Sequence, residues 1–178
     1  MRAMNSAVRV MAMIVCVSIM LVPACKKRDP NRYSNAEKGF SIRLPSTWEK
    51  QENVMGTDLI VVSPAEGPED SFRENFNVLV ENLKADMTLD QYYQAGIPVF
   101  ERYTKEFAQH EHGYTALDGE KARWDVVSHK MGPVRIKVLL YTMIRQGRGY
   151  LITFSAADDR FGQYKDMFGK IAESFRFE

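Results

Sequence analysis

Three histidines are the first residues in this sequence to test for chemistry. His110 and His112 stand two apart in "FAQHEH". On a strand both point to one face about 7 Å apart, and His129 from a neighbouring strand would complete a tetrahedral metal site. The competing reading is a polar strand whose histidines face water, because no CxxC or HExxH spacing constrains the ligands. A hydrolase needs a nucleophile beside a base, and the chain has no GxSxG, no SxxK and no cysteine after Cys25. Ser46, Ser63, Ser71 and Ser128 read as ordinary loop or strand serines. Gly147-Arg148-Gly149 imitates a fragment of a phosphate loop, but it joins two strands and opens no helix, which makes it a hairpin turn. Asp158, Asp159 and Arg160 read as a helix cap and first-turn charges, not as an acid/base pair. The expectation is a protein that is not an enzyme and holds no cofactor.

The aromatic residues Tyr92, Tyr93, Phe100 and Tyr103 form the largest ambiguous group. They either line a cleft between a helix and a sheet, suited to an apolar or peptide ligand, or they are core; helical spacing favours core.

The remaining chemistry belongs to Cys25. Arg2 and Arg9 precede thirteen residues, Val10 to Val22, in which Ser18 is the one polar interruption, and Pro23 and Ala24 follow. That is the layout of a bacterial export signal. At about 1.5 Å per residue the run spans about 20 Å, short of the roughly 30 Å hydrocarbon core, so removal is expected over permanent spanning. Val22-Pro23-Ala24-Cys25 resembles the lipobox of bacterial lipoproteins, although Pro23 is an uncommon occupant. The resemblance implies that the Cys25 thiol receives a diacylglyceryl group and becomes the new N-terminus. Ordinary signal peptidase would accept the same bond and leave a free thiol; lipidation is the more economical use of one unpaired cysteine. Each buried methylene contributes about 0.8 kcal/mol, so two or three chains hold a protein on the bilayer. Lys26, Lys27 and Arg28 would then sit at the headgroups, or simply begin a solvated tether. Lys26, where Asp would signal inner-membrane retention, implies the outer membrane in a two-membrane host.

Removing residues 1–24 leaves 154, with 22 basic side chains (24 less Arg2 and Arg9) against 23 acidic ones, a net charge of −1. A near-neutral surface argues against nucleic acid as a partner. The length suits one domain, and Cys16 leaves with the signal, so packing alone must stabilise it. The expected organisation is a removed signal at 1–24, a lipid-anchored flexible tether at 25–38 with a reach of about 20 Å, and a domain at 39–178.

Within that domain Phe40, Ile42 and Leu44 alternate with polar residues in a half-buried strand closed by Pro45, and Trp48 follows in a turn. "LIVVS" and "NFNVLVENL" predict two more strands around a loop from Pro64 to Asp70. Thr88-Leu89-Asp90-Gln91 is a capping box that starts a helix, and Gly96 and Pro98 predict a kink or two short helices around Ile97. "FAQHEH", "ARWDVVSHKM", "VRIKVLLYTMI" and "GYLITFSAA" form an antiparallel meander through tight turns. Asp158 or Asp159 caps a last helix with an apolar stripe of Phe161, Tyr164, Phe168, Ile171 and Phe175. The order of elements gives an α+β fold, an antiparallel sheet with helices packed against it.

"GFSIRLPSTWE", "TLDQYY", "LDGEKARWDV" and "FGKIAESFRF" resemble, in that order, landmarks of the PsbP-like and DcrB-like family over most of residues 39–178. The resemblance implies a central antiparallel sheet flanked by helices in an α/β/α sandwich, a non-enzymatic role as a binding or assembly factor, and frequent lipoprotein anchoring. It carries over no catalytic or metal-binding residue. The expected function is a membrane-anchored extracytoplasmic lipoprotein, held through a covalent lipid on Cys25, that binds or helps assemble an envelope component, with an envelope protein as partner. The alternative is a small-ligand or metal-binding envelope protein using the helix-sheet cleft or His110 and His112.

Overall fold

A computed structural model describes residues 29–178. The apolar run, the lipobox and Cys25 lie outside the described residues. The chain forms β1 (Arg32–Asn35), β2 (Phe40–Arg43), β3 (Glu49–Val54), β4 (Thr57–Val62), β5 (Asn75–Asn82), α1 (Leu89–Tyr103), β6 (Lys105–Leu117), β7 (Glu120–Met131), β8 (Val134–Arg145), β9 (Arg148–Ala157), α2 (Phe161–Glu173) and β10 (Arg176–Phe177). Seven strands make one antiparallel sheet in the order β3-β4-β5-β9-β8-β7-β6, and β1-β2-β10 make a second. The α+β fold expected from the element order, an antiparallel sheet with helices packed against it, is the architecture observed.

Alternation decides which face each side chain serves. Phe76 and Val78 of β5, Ile152 and Phe154 of β9 and Met143 of β8 point to the face covered by α2 and the small sheet, where Phe40, Phe168 and Phe175 meet them with no exposed surface. Val127, Ile136 and Val138 point to the other face, where Phe100 of α1 and Phe107 pack on them. Left-handed φ at both central residues of Asp118-Gly119 and Gln146-Gly147 matches the right-handed twist of long hairpins, and sets the registers of the β6–β7 and β8–β9 hairpins.

Four expectations are corrected. The tether does not extend to residue 38: Arg32–Asn35 pairs with β2, and Tyr33 packs on Phe40 at 6.0 Å. "RYSN" has no apolar periodicity, and only its partner strand makes it a strand. The exposed edge strand β3, "EKQENV", is likewise invisible to hydrophobic patterning. The helix α1 runs unbroken through Pro98, not as two short helices; Gln94 and Pro98 are both exposed, so the carbonyl that loses its helical donor is on the solvent side. Neither Asp158 nor Asp159 caps α2: its N-cap is Arg160, without a side-chain cap, and Asp158 pairs with Lys137 at 2.8 Å. Phe175 joins the core from beyond the helix end.

Candidate functional site

The histidines do not assemble. A β-bulge between Gln109 and Glu111 inserts a residue into β6, so the two-residue spacing no longer places His110 and His112 on one face. His110 Nε2 meets Ser128 Oγ at 2.8 Å, on the face of Glu111 and Val126, whereas His112 pairs with Asp125 on the opposite face. His129 lies four residues further along β7, edge-on to Phe100, where burial lowers its pKa below the ordinary imidazole value. Among the described residues no three His, Cys, Asp or Glu side chains come together to hold a metal ion, which corrects the His110/His112 metal alternative. The His110–Ser128 contact resembles a nucleophile–base pair, but Ser128 is 2 % exposed and no carboxylate bonds the imidazole's other nitrogen. No substrate reaches that hydroxyl.

The aromatic residues of α1 divide. Tyr92 and Tyr93 are buried, Phe100 packs in the smaller core cluster, and Tyr103 is 81 % exposed. Tyr92 donates to Glu81 at 2.6 Å, and its ring lies over Gly149, where an added Cβ would come within 2.5 Å of it. Burial, reinforced by the Glu81 carboxylate, pushes the Tyr92 phenol well above its ordinary pKa. Tyr93 stacks under Arg123 at 3.8 Å and donates to Asp125. Asp125 is fully buried and also receives two bonds from Arg123 and one from Gln109. This network is closed: every acceptor position on Asp125 that the fold reaches is used, so it locks α1 to the sheet and leaves no cleft there. Tyr92→Ala should therefore lower Tm by several degrees and Tyr103→Ala by less than about 2 °C, read by calorimetry. Equal small effects would restore the cleft reading.

Two open concavities lie elsewhere. One, of about 470 Å³, separates the loop at 64–74 from the start of α2. It sets Glu66, Glu69, Asp70 and Asp159 around one cation, Arg160, which bonds Glu66 at 2.5 Å and lies 3.7 Å from buried Glu74. Both Glu74 oxygens lack a hydrogen-bond partner among the described groups, so Arg160 is the group that compensates that charge.

The larger concavity, about 520 Å³, is a groove between α2 and strands β6–β8. Its cause is geometric. A helix is about 10 Å across and covers about two strands spaced 4.8 Å apart, so α2, seated on β9 and β8, leaves Glu111 and Thr115 of β6 exposed and Trp124 of β7 only half-covered on this face. Trp124, Leu139 and Tyr141 form the floor. Trp124 and Tyr141 are cross-strand partners, and Gly113 is the partner of Trp124 on β6. An added Cβ at Gly113 would lie 2.9 Å from three atoms of the indole, so the ring rests flat on the glycine backbone. Gly169 forms part of the helical wall, with no atom within 4 Å of where its Cβ would be. Sequence reading missed this groove. The signal available was Gly169, a residue costing about 1 kcal/mol against alanine inside an amphipathic helix.

No family model matches the chain, and no curated protein sequence does. Solved structures do. The solution structure of cyanobacterial PsbP (CyanoP) from Synechocystis sp. PCC 6803 aligns with a TM-score of 0.65 at 18 % identity, over 87 % of this chain and 98 % of that one. LpqN of Mycobacterium tuberculosis, described as involved in cell envelope biogenesis, aligns at 0.60 with 16 % identity over 84 % and 86 % of the two chains. A Pseudomonas aeruginosa protein, PA94, described as a putative regulator, aligns at 0.58 with 14 % identity over 80 % and 93 %. At these identities the likeness is one of architecture, and it agrees with the landmarks in the sequence: the chain has a PsbP-like α+β fold.

Proposed function

We propose that this protein is an exported, non-enzymatic binding factor for an envelope component, held to the membrane through lipid on Cys25, with the groove beside α2 as its recognition surface. The observation that carries this reading is the groove: concave, aromatic-floored and the larger of the two concavities described. Two facts support it. The groove holds no nucleophile paired with a base, and Ser128, which meets His110, is itself buried and does not line it. The fold is shared with LpqN, whose description places that protein in envelope biogenesis. Among the described residues no helix is long and apolar enough to cross a membrane, so anchoring in this reading rests on Cys25.

Fractionation tests the anchor. The natural chain should pellet with membranes and carry a diacyl or triacyl mass on Cys25, while Cys25→Ser should move to the soluble periplasmic fraction in a two-membrane host. An unmodified Cys25, or a Cys25→Ser protein that stays with the membrane, refutes it.

A further inference from the structure

We infer that the groove beside α2 binds a neutral, hydroxyl-rich saccharide, with a sugar ring laid against the Trp124 indole; this rests on the groove being the recognition surface. Three features lead to that class.

The first is the platform. Gly113 supports one side of the indole, and the groove opens beside Leu139 and Tyr141. Among the described residues the Trp124 Nε1–H, the Tyr141 hydroxyl and the Thr115 hydroxyl at the groove have no hydrogen-bond partner in the protein, although none is sealed from solvent. Amphipathic rings with unpaired polar tips beside an apolar face match a pyranose, which presents C–H groups on its faces and hydroxyls around its edge.

The second is charge. The helical wall presents Lys165, Asp166, Lys170 and Glu173, two cations and two anions. Opposed charges cancel at a distance, so a charged ligand gains no net attraction, while a ring of hydroxyls finds donors and acceptors in alternation.

The third excludes a peptide strand. The floor of the groove lies on the face of the sheet, where β7 and β8 are paired on both sides and their main-chain groups are engaged in the ladders, while the free edge of β6 lies at the sheet's margin. A peptide lying there would find no backbone edge to pair with and would leave its own amides unsatisfied, whereas saccharide hydroxyls need only side chains.

Gly169 supplies the test. Leucine there should project into the groove from a Cβ that meets no atom within 4 Å, and raise helix propensity, so a folded protein with a blocked site is expected. We would titrate the full chain in detergent micelles with maltotetraose, cellotetraose and N-acetylchitotetraose, following the indole N–H signals of Trp48 and Trp124 by NMR. At least one sugar should shift the Trp124 signal at millimolar concentration and leave Trp48 in place. Gly169→Leu, with Tm unchanged or raised, and Trp124→Ala should each weaken binding at least about tenfold. Binding unaltered in Gly169→Leu, no shift with any of the three sugars, or a shift produced instead by tetra-alanine overturns the assignment. Fractionation of Cys25→Ser reads the anchor independently, so failure of the sugar and failure of the anchor are told apart.

Discussion

Replacing Arg123 by alanine should destabilise the domain by about 3–5 kcal/mol, among the largest losses available to a single change in this chain. Asp125 has no exposed surface, and Arg123 grips both of its oxygens, at 2.9 and 2.8 Å. Tyr93 and Gln109 donate to the same carboxylate but bring no charge. Without the guanidinium an ionised group stays buried with neutral partners only, which costs far more than the ion pair contributes when intact. The measurement is the guanidinium chloride midpoint of each variant at constant m. Adding Asp125→Leu to Arg123→Ala should recover most of the loss, because an apolar residue needs no counterion. A double variant as unstable as Arg123→Ala would mean that stacking of Arg123 over Tyr93, 3.8 Å away, dominates the energy.

Phe154→Ala should cost a comparable amount, about 3–5 kcal/mol, by a different route. Phe154 has no exposed surface, and its ring centre lies 5.4 Å from that of Phe76 and 5.1 Å from that of Phe168. It therefore joins β5, β9 and α2 at one point. Rigid strands on both sides cannot collapse into the vacated space, so the cavity persists and its lining loses dispersion contacts. Phe100→Ala, in the smaller cluster under α1, should cost clearly less, since Phe100 is only half-buried and its neighbours Phe107 and His129 lie toward the sheet's margin. Equal losses would show that the two faces carry equal weight, contrary to the distribution of fully buried side chains.

Much of the fold was legible because its signals are local. The capping box at Thr88 forms as its residues require: Thr88 Oγ1 accepts from the Gln91 amide at 3.2 Å, and Gln91 Oε1 accepts from the Thr88 amide at 2.9 Å. The alternation of "NFNVLVEN" became the alternating burial of β5, and Gln146-Gly147 became the tight turn of a hairpin. Each of these depends on residues within a few positions of one another.

The site was not legible, for a physical reason that particular residues make plain. His110 and His112 obey a two-residue period only while β6 stays regular, and the bulge beside them answers to the partner strand, not to their own sequence. The polar strands β1 and β3 exist through pairing that their side chains do not announce. The groove needs Gly113, Trp124 and Tyr141 aligned across three strands, and α2 seated two strands away from the sheet's edge. By itself the sequence determined both helices, most of the strands and the antiparallel meander, since propensity, periodicity and turn chemistry act along the chain. Tertiary structure alone decided which aromatic residues are core, which charges are locked away and which face of the sheet remains open, because these follow from the packing of segments far apart in sequence.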